Sequence, residues 1–125
     1  MAITLTYSQT RGSVTDESGA LIAEGWSGHG AGKNNPDMQD AHNLGPLPQG
    51  LYRVGPWQTH PRLGPICAPL TQIEGETFGR SAFWIHGPST APSHYGQESE
   101  GCIVVPRADR LAIQALGPGF VRVVA

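Results

Sequence analysis

Charge is scarce in this chain: Asp, Glu, Lys and Arg make up 14% of its residues, and the formal net charge is −2. No run of Lys or Arg occurs, which argues against a surface built for nucleic acid or anionic membrane. No apolar run approaches the length that spans a bilayer, so no transmembrane segment is expected. The opening residues, Met1-Ala-Ile-Thr-Leu-Thr-Tyr7, lack the basic and continuous apolar regions of a secretory signal peptide. Ile3, Leu5 and Tyr7 instead alternate with Thr4, Thr6 and Ser8, the pattern of a half-buried strand. Cysteine is rare as well. Cys67 and Cys102 do not make a disulfide framework, and Cys67, within Pro-Ile-Cys-Ala-Pro-Leu, reads as a small buried hydrophobe.

Other absences remove whole chemistries. His29, His42, His60, His86, His94, Cys67 and Cys102 are scattered, with no C-x-x-C pair and no H-E-x-x-H. Neither a metal nor a cofactor is therefore expected. The glycine-rich stretch from Gly25 to Pro36 is not a phosphate loop, because Ser27 stands at its first glycine position and Asn34 follows the lysine. It reads as a polar loop, either structural or bordering a substrate groove. Glu98 and Glu100 face no second acidic cluster, and no G-x-S-x-G elbow supports a serine nucleophile. His42 and His60 fall in loops and read as solvated or structural.

Glycine and proline are plentiful, at 17 and 11 residues. That composition favours short strands joined by turns. A length of 125 residues fits a single domain, 1–125, around one core. Strands are expected at 3–8, 20–26 and 51–54, the last after the rigid Gly45-Pro-Leu-Pro-Gln-Gly50 turn, and at 81–86, 102–105 and 120–124. The proline-rich 55–69 segment reads as irregular, with at most one short strand. Ala108, Leu111, Ala112, Ala115 and Leu116 follow amphipathic helical spacing, and Gly117-Pro118 stops the helix. The expectation is a mostly β fold of about six to eight strands with one short C-terminal helix.

The stretch from Trp84 to Arg107 carries the chemistry. His86 ends one apolar strand, and Cys102 opens another sixteen positions later. In strand 81–86, Ala82, Trp84 and His86 share a face, as do Cys102 and Val104 in the next. A thiol and an imidazole brought to one sheet edge form a nucleophile and its base. Gly101 lets the backbone turn before Cys102, so amides of Glu100, Gly101 and Cys102 can form an oxyanion hole. Gly87 frees a carbonyl to hold the imidazole tautomer. A nearby imidazole and these amides are expected to lower the thiol pKa.

His86-Gly87 followed by Ser99-Glu-Gly-Cys-Ile103 resembles the H-G…[S/T]-x-G-C-[I/V] signature of YkuD-type L,D-transpeptidases. Trp-Ser-Gly-His-Gly-Ala-Gly-Lys-Asn-Asn-Pro, Gly-Pro-Leu-Pro-Gln-Gly-Leu-Tyr and Phe-Gly-Arg-Ser-Ala-Phe-Trp-Ile-His-Gly are similar to the small branch of that superfamily. That branch includes effectors delivered by type VI secretion. The resemblance implies a β-sandwich or barrel-like catalytic domain and a cysteine acyltransferase acting on peptidoglycan stem peptides. It implies Cys102 as nucleophile, His86 as base and the Gly87 carbonyl as its orienter. Ser99 and Trp84 are expected in the site wall, with Lys33, Asn34 and Arg80 along the substrate. Two positions depart from the commonest superfamily motif. Glu100 replaces a histidine, and Val104 replaces an arginine, which leaves Arg107, Arg80 and Lys33 as alternative carboxylate anchors.

Transpeptidase, L,D-carboxypeptidase and D-amino-acid exchange activities all follow from one thioester. The expected place of action is the periplasm or cell wall, reached by a secretion system or on phage lysis. An effector of this kind implies an immunity protein as partner, and the expected state is a monomer. The alternative is a non-catalytic cell-wall-binding module of a secretion system or phage.

Overall fold

A computed structural model of the chain describes residues 2–88 and 99–125. His94 and Glu98 lie outside the described residues. The alternating N-terminal stretch forms β1 (Ile3–Ser8), with Leu5 and Tyr7 fully buried. It is followed by β2 (Ser13–Thr15), β3 (Leu21–Glu24), β4 (Trp26–Ser27) and two 3-10 turns, Gly30–Gly32 and Pro36–Met38. Then come β5 (Gly50–Val54), β6 (Gln58–His60), β7 (Gly64–Gly75), β8 (Phe83–His86), β9 (Ile103–Val104), helix α1 (Arg107–Leu116) and β10 (Pro118–Val124). The strands form one mostly antiparallel sheet in the order β3-β2-β1-β10-β5-β7-β8-β9-β4, with β6 alongside β7.

That order explains why the sheet curls into a near-barrel. Its two outermost strands, β3 and β4, are separated in the chain by Gly25 alone. The Gly25 N–H donates to the Gly12 carbonyl at 2.8 Å, and a β-carbon at this position would lie 1.8 Å from the Val104 carbonyl oxygen. The residue at the closure must therefore be glycine. The segment expected as one return strand, 20–26, is thus two strands serving opposite ends of the sheet. Inside the curl, Leu5, Tyr7, Leu47, Ile85, Ile103 and Val121 are buried, and Tyr52 meets Phe83 edge-on at 5.9 Å.

The proline-rich 55–69 segment is the main correction. It supplies β6 and the first half of β7, a strand of 12 residues. Pro69 pairs with Trp84 while its carbonyl accepts from Gly55 N–H at 2.8 Å. A strand residue points its N–H and C=O to the same edge, so the N–H that proline lacks falls on the Gly55 side. The ladder to β8 is intact.

Helix α1 lies where the spacing predicts and ends at Gly117 in a left-handed conformation, φ +59°. Its orientation is the reverse of the expectation. Arg110 and Ile113 face inward, whereas Ala108, Leu111, Ala112, Ala115 and Leu116 face solvent, with Leu111 44% exposed. The cause is Arg110. Its Nε donates to Val105 O at 3.2 Å, and its Nη1 donates to Pro65 O and Ile66 O at 2.8 and 3.0 Å. A guanidinium with three carbonyl acceptors docks the helix by hydrogen bonds, so apolar periodicity misidentified the buried face.

Candidate active site

Strand β8 pairs antiparallel with β7 on one side and parallel with β9 on the other, matching Ile85 to Ile103 and His86 to Val104. Residues in register share a face, and the face alternates along each strand. Trp84, His86, Cys102 and Val104 therefore belong to the same side of the sheet. Cys102 stands one residue ahead of β9. Gly101 before it has φ +128°, and a β-carbon there would lie 2.5 Å from Arg80 Nη2 and 3.1 Å from the Phe83 ring. This is a position that only glycine fits.

His86 is 3% exposed, and its Nδ1 is 2.9 Å from the Gly87 carbonyl oxygen. A carbonyl can only accept, so Nδ1 carries the proton, and Nε2 is the basic nitrogen of the neutral ring. Cys102 is partly buried, with Sγ 3.8 Å from Ala82 O. His86 and Cys102 line one pocket of about 330 Å³ together with Trp84, His60, Asn43 and Arg62. Trp84 meets His60 edge-on at 4.9 Å.

Burial pushes the Cys102 thiol up to about 11; the Glu100 charge adds to the rise, while a backbone hydrogen bond at Trp84 and the Arg80 charge oppose it. The sequence expectation was a thiol acidified by its neighbours. Burial outweighs the Trp84 hydrogen bond and the Arg80 charge, so the thiol is raised and not acidified.

Several residues expected along the substrate hold the scaffold instead. Arg80, 6% exposed, donates to the carbonyls of Gln39, Pro46, Gly45 and Glu100 at 2.6, 2.7, 2.8 and 3.1 Å. Its guanidinium clamps the Gly45-Pro46 turn to the cysteine turn and does not serve as a carboxylate anchor. Ser99 is fully buried, so it lies beneath the site and not in its wall. Its Oγ accepts from Gly28 N–H at 2.8 Å and Gly101 N–H at 3.3 Å, and donates to Cys102 O at 2.5 Å. With Gly101 N–H so engaged, the expected oxyanion set narrows to the amides of Glu100 and Cys102. Lys33 is exposed, with Nζ 4.8 Å over the Trp26 ring, and Asn34 Oδ1 accepts from Ser27 N–H at 3.0 Å. Neither lines the pocket.

His60, Arg62 and Asn43 were not anticipated as site residues. His60 Nδ1 accepts from the N–H groups of Arg62 and Leu63 at 3.0 and 3.2 Å, which fixes the turn between β6 and β7. No spacing in the sequence ties this turn to His86; the pairing of β6, β7 and β8 brings it there. Cys67, fully buried, donates to Gln58 O at 3.2 Å and plays no part in the pocket.

The curled sheet, with β8 and β9 side by side in parallel, is the fold of L,D-transpeptidase catalytic domains. The chain is similar to L,D-transpeptidase 3 from Mycobacterium tuberculosis in a complex with a faropenem-derived adduct, with a TM-score of 0.55 and 17% identity over 99% of this chain. A second structure of that enzyme gives a TM-score of 0.54 and 16% identity, again over 99% of this chain. This chain covers 60% and 61% of those two chains. Residues 22–116 match the model of the Tlde1 domain. The chain belongs to the Tlde1 domain family, the type VI secretion effector family of L,D-transpeptidases. No curated protein sequence matches it. Among the described residues, no helix is long and apolar enough to cross a membrane.

Proposed function

We propose that the protein is a cysteine acyltransferase that acts on peptidoglycan tetrapeptide stems through a thioester at Cys102. The observation that carries this reading is the parallel β8–β9 register, which puts His86 and Cys102 on one face and in one pocket. His86 Nε2 takes the thiol proton as Sγ attacks the carbonyl of the third stem residue. A bond forms from sulfur to carbon, and the amides of Glu100 and Cys102 stabilise the oxyanion. The carbon–nitrogen bond then breaks, and the imidazolium returns its proton to the departing D-alanine amine. An incoming amine or water resolves the thioester, which gives cross-linking, D-amino-acid exchange or L,D-carboxypeptidase activity. Because burial favours the protonated thiol, attack depends on a base, His86, to take that proton.

On this reading the protein is a delivered antibacterial effector that acts in the periplasm, with an immunity protein as its partner. Cys102→Ala is expected to lower D-alanine release from purified tetrapeptide muropeptides by about 10³-fold or more. Undiminished release would sink the proposal. A carbapenem is expected to add covalently at Cys102, read by intact mass. One observation favours the second reading, a cell-wall-binding module without catalysis: the thiol is raised and not acidified. That reading predicts wild-type protein that binds stem peptides, releases no D-alanine and takes up no carbapenem.

A further inference from the structure

Beyond His86 the groove continues into a larger pocket of about 730 Å³, which shares Arg62, Leu63 and His86 with the cysteine pocket. Three arginines, Arg62, Arg107 and Arg110, line it, and among the described residues none of its lining is acidic. Asp109, in the same helical turn, is directed elsewhere, with its carboxylate accepting from Glu24 N–H at 3.1 Å. Among the described residues none of the three arginines has a carboxylate within ion-pair distance; the one such pair is Arg122 with Glu74. The helix α1 starts at this wall with Pro106 and Arg107, so its N-terminal partial charge has the same sign. Three like charges gathered in a concave pocket repel one another, and an anion that enters relieves the repulsion.

We propose that this pocket binds the free α-carboxylate of the D-amino acid that leaves from, or enters at, the carbonyl attacked by Cys102. The proposal rests on the acyl-transfer reading above. His86 belongs to both pockets, so the amine it serves lies between the cysteine and the arginines. In an α-amino acid the carboxylate is one carbon from that amine. In the exchange direction the amine attacks the thioester carbon, the carbon–nitrogen bond forms and the carbon–sulfur bond breaks. The amine proton passes to His86 and then to the departing thiolate. Arg62 and Arg107, both exposed, supply mobile charge, while Arg110 is held against Gly87 by its three carbonyl bonds. The enzyme is thereby limited to stem ends with a free carboxylate and to acceptors that carry one.

The test uses Cys102→Ala protein, which retains the groove and cannot turn over. Calorimetry compares a tetrapeptide stem with a free C-terminus and the same peptide as its C-terminal amide. The acid is expected to bind about tenfold more tightly or better. Adding Arg62→Ala and Arg107→Ala closes that gap to under about twofold, and Arg107→Lys in place of Arg107→Ala restores part of it. Equal affinity for acid and amide, or no measurable binding of either, overturns the proposal. A gap that survives both alanine substitutions overturns the assignment to these arginines. Binding to a protein without its thiol is read separately from D-alanine release, so failure here is distinct from failure of the acyl-transfer reading.

Discussion

His86 and Cys102 stand on adjacent strands, yet the supports behind them differ. Behind Cys102, Gly101 makes room for the Arg80 guanidinium, which is bonded to four backbone carbonyls. Behind His86, Gly87 makes room for Arg110, whose Nη2 would lie 2.5 Å from a β-carbon there. The same device, a glycine facing a buried guanidinium, is used twice. On the cysteine side it is closed, with Ser99 adding three more hydrogen bonds around the turn. On the histidine side it opens onto the larger pocket, with Arg62 and Arg107 beside it. Cys102 is thus placed by the scaffold alone, while the His86 side has exposed cationic side chains at the pocket.

The strongest way to break this contrast is to remove each arginine. Arg80→Ala strands four carbonyls and is expected to cost about 3–5 kcal/mol in chemical denaturation. Arg110→Ala, which strands three carbonyls beside an already open pocket, is expected to cost about 2–3 kcal/mol. An Arg110 loss equal to that of Arg80 would erase the distinction. The glycines sharpen it. Gly101→Ala forces alanine to φ +128° against Arg80 and Phe83, an expected loss of about 2–3 kcal/mol. Gly87→Ala keeps an ordinary φ but presses on the Arg110 guanidinium, with Nη2 at 2.5 Å and Cζ at 2.7 Å, and is expected to cost about 1–2 kcal/mol while slowing D-alanine release more than it lowers the melting temperature. Equal melting shifts for the two would contradict the asymmetry.

The smallest effect is read by pH. Because burial raises Cys102 to about 11, iodoacetamide alkylation is expected to climb through alkaline pH, above the midpoint of an unfolded thiol near 9. A midpoint below 9 would show that the imidazole and amides dominate. The same shift affects stability. Between pH 9 and 11 the unfolded thiol loses its proton while the folded one keeps it, so the unfolded state binds fewer protons. The stabilisation is present in full below pH 9 and is lost as pH rises towards 11. Cys102→Ala should flatten that part of the curve.

Local signals made much of this legible from the chain itself. Alternation placed Ile3–Ser8 and the Phe83–His86 strand, and Gly117-Pro118 marked the end of α1. The histidine-glycine and glycine-cysteine pairs pointed to the pocket that His86 and Cys102 share. What was not legible depends on distant partners. Prolines concealed β7 because the N–H that Pro69 lacks matters only once the neighbouring strands are known. Arg110 counted as polar and so inverted the helix, although its bonds to Pro65 and Ile66 are what bury it. Arg80 and Ser99 looked like substrate contacts because nothing local discloses that Gly45, Pro46 and Gly28 supply their partners.

The parallel pairing of β1 with β10 has a consequence for how the molecule comes into being. Ile3 pairs with Pro118 and Ser8 with Val124, so β10 lies between two strands that come well before it in the chain, β1 and β5. Bringing these segments together closes a loop nearly as long as the chain before any ladder bond rewards it. Folding is therefore governed by long-range encounter, on the order of milliseconds to seconds. Until β10 arrives, β1 and β5 each present an unpaired edge, and the sheet that carries β8 is in two pieces. The groove is carried by the β7–β8–β9 piece, which β5 separates from β10.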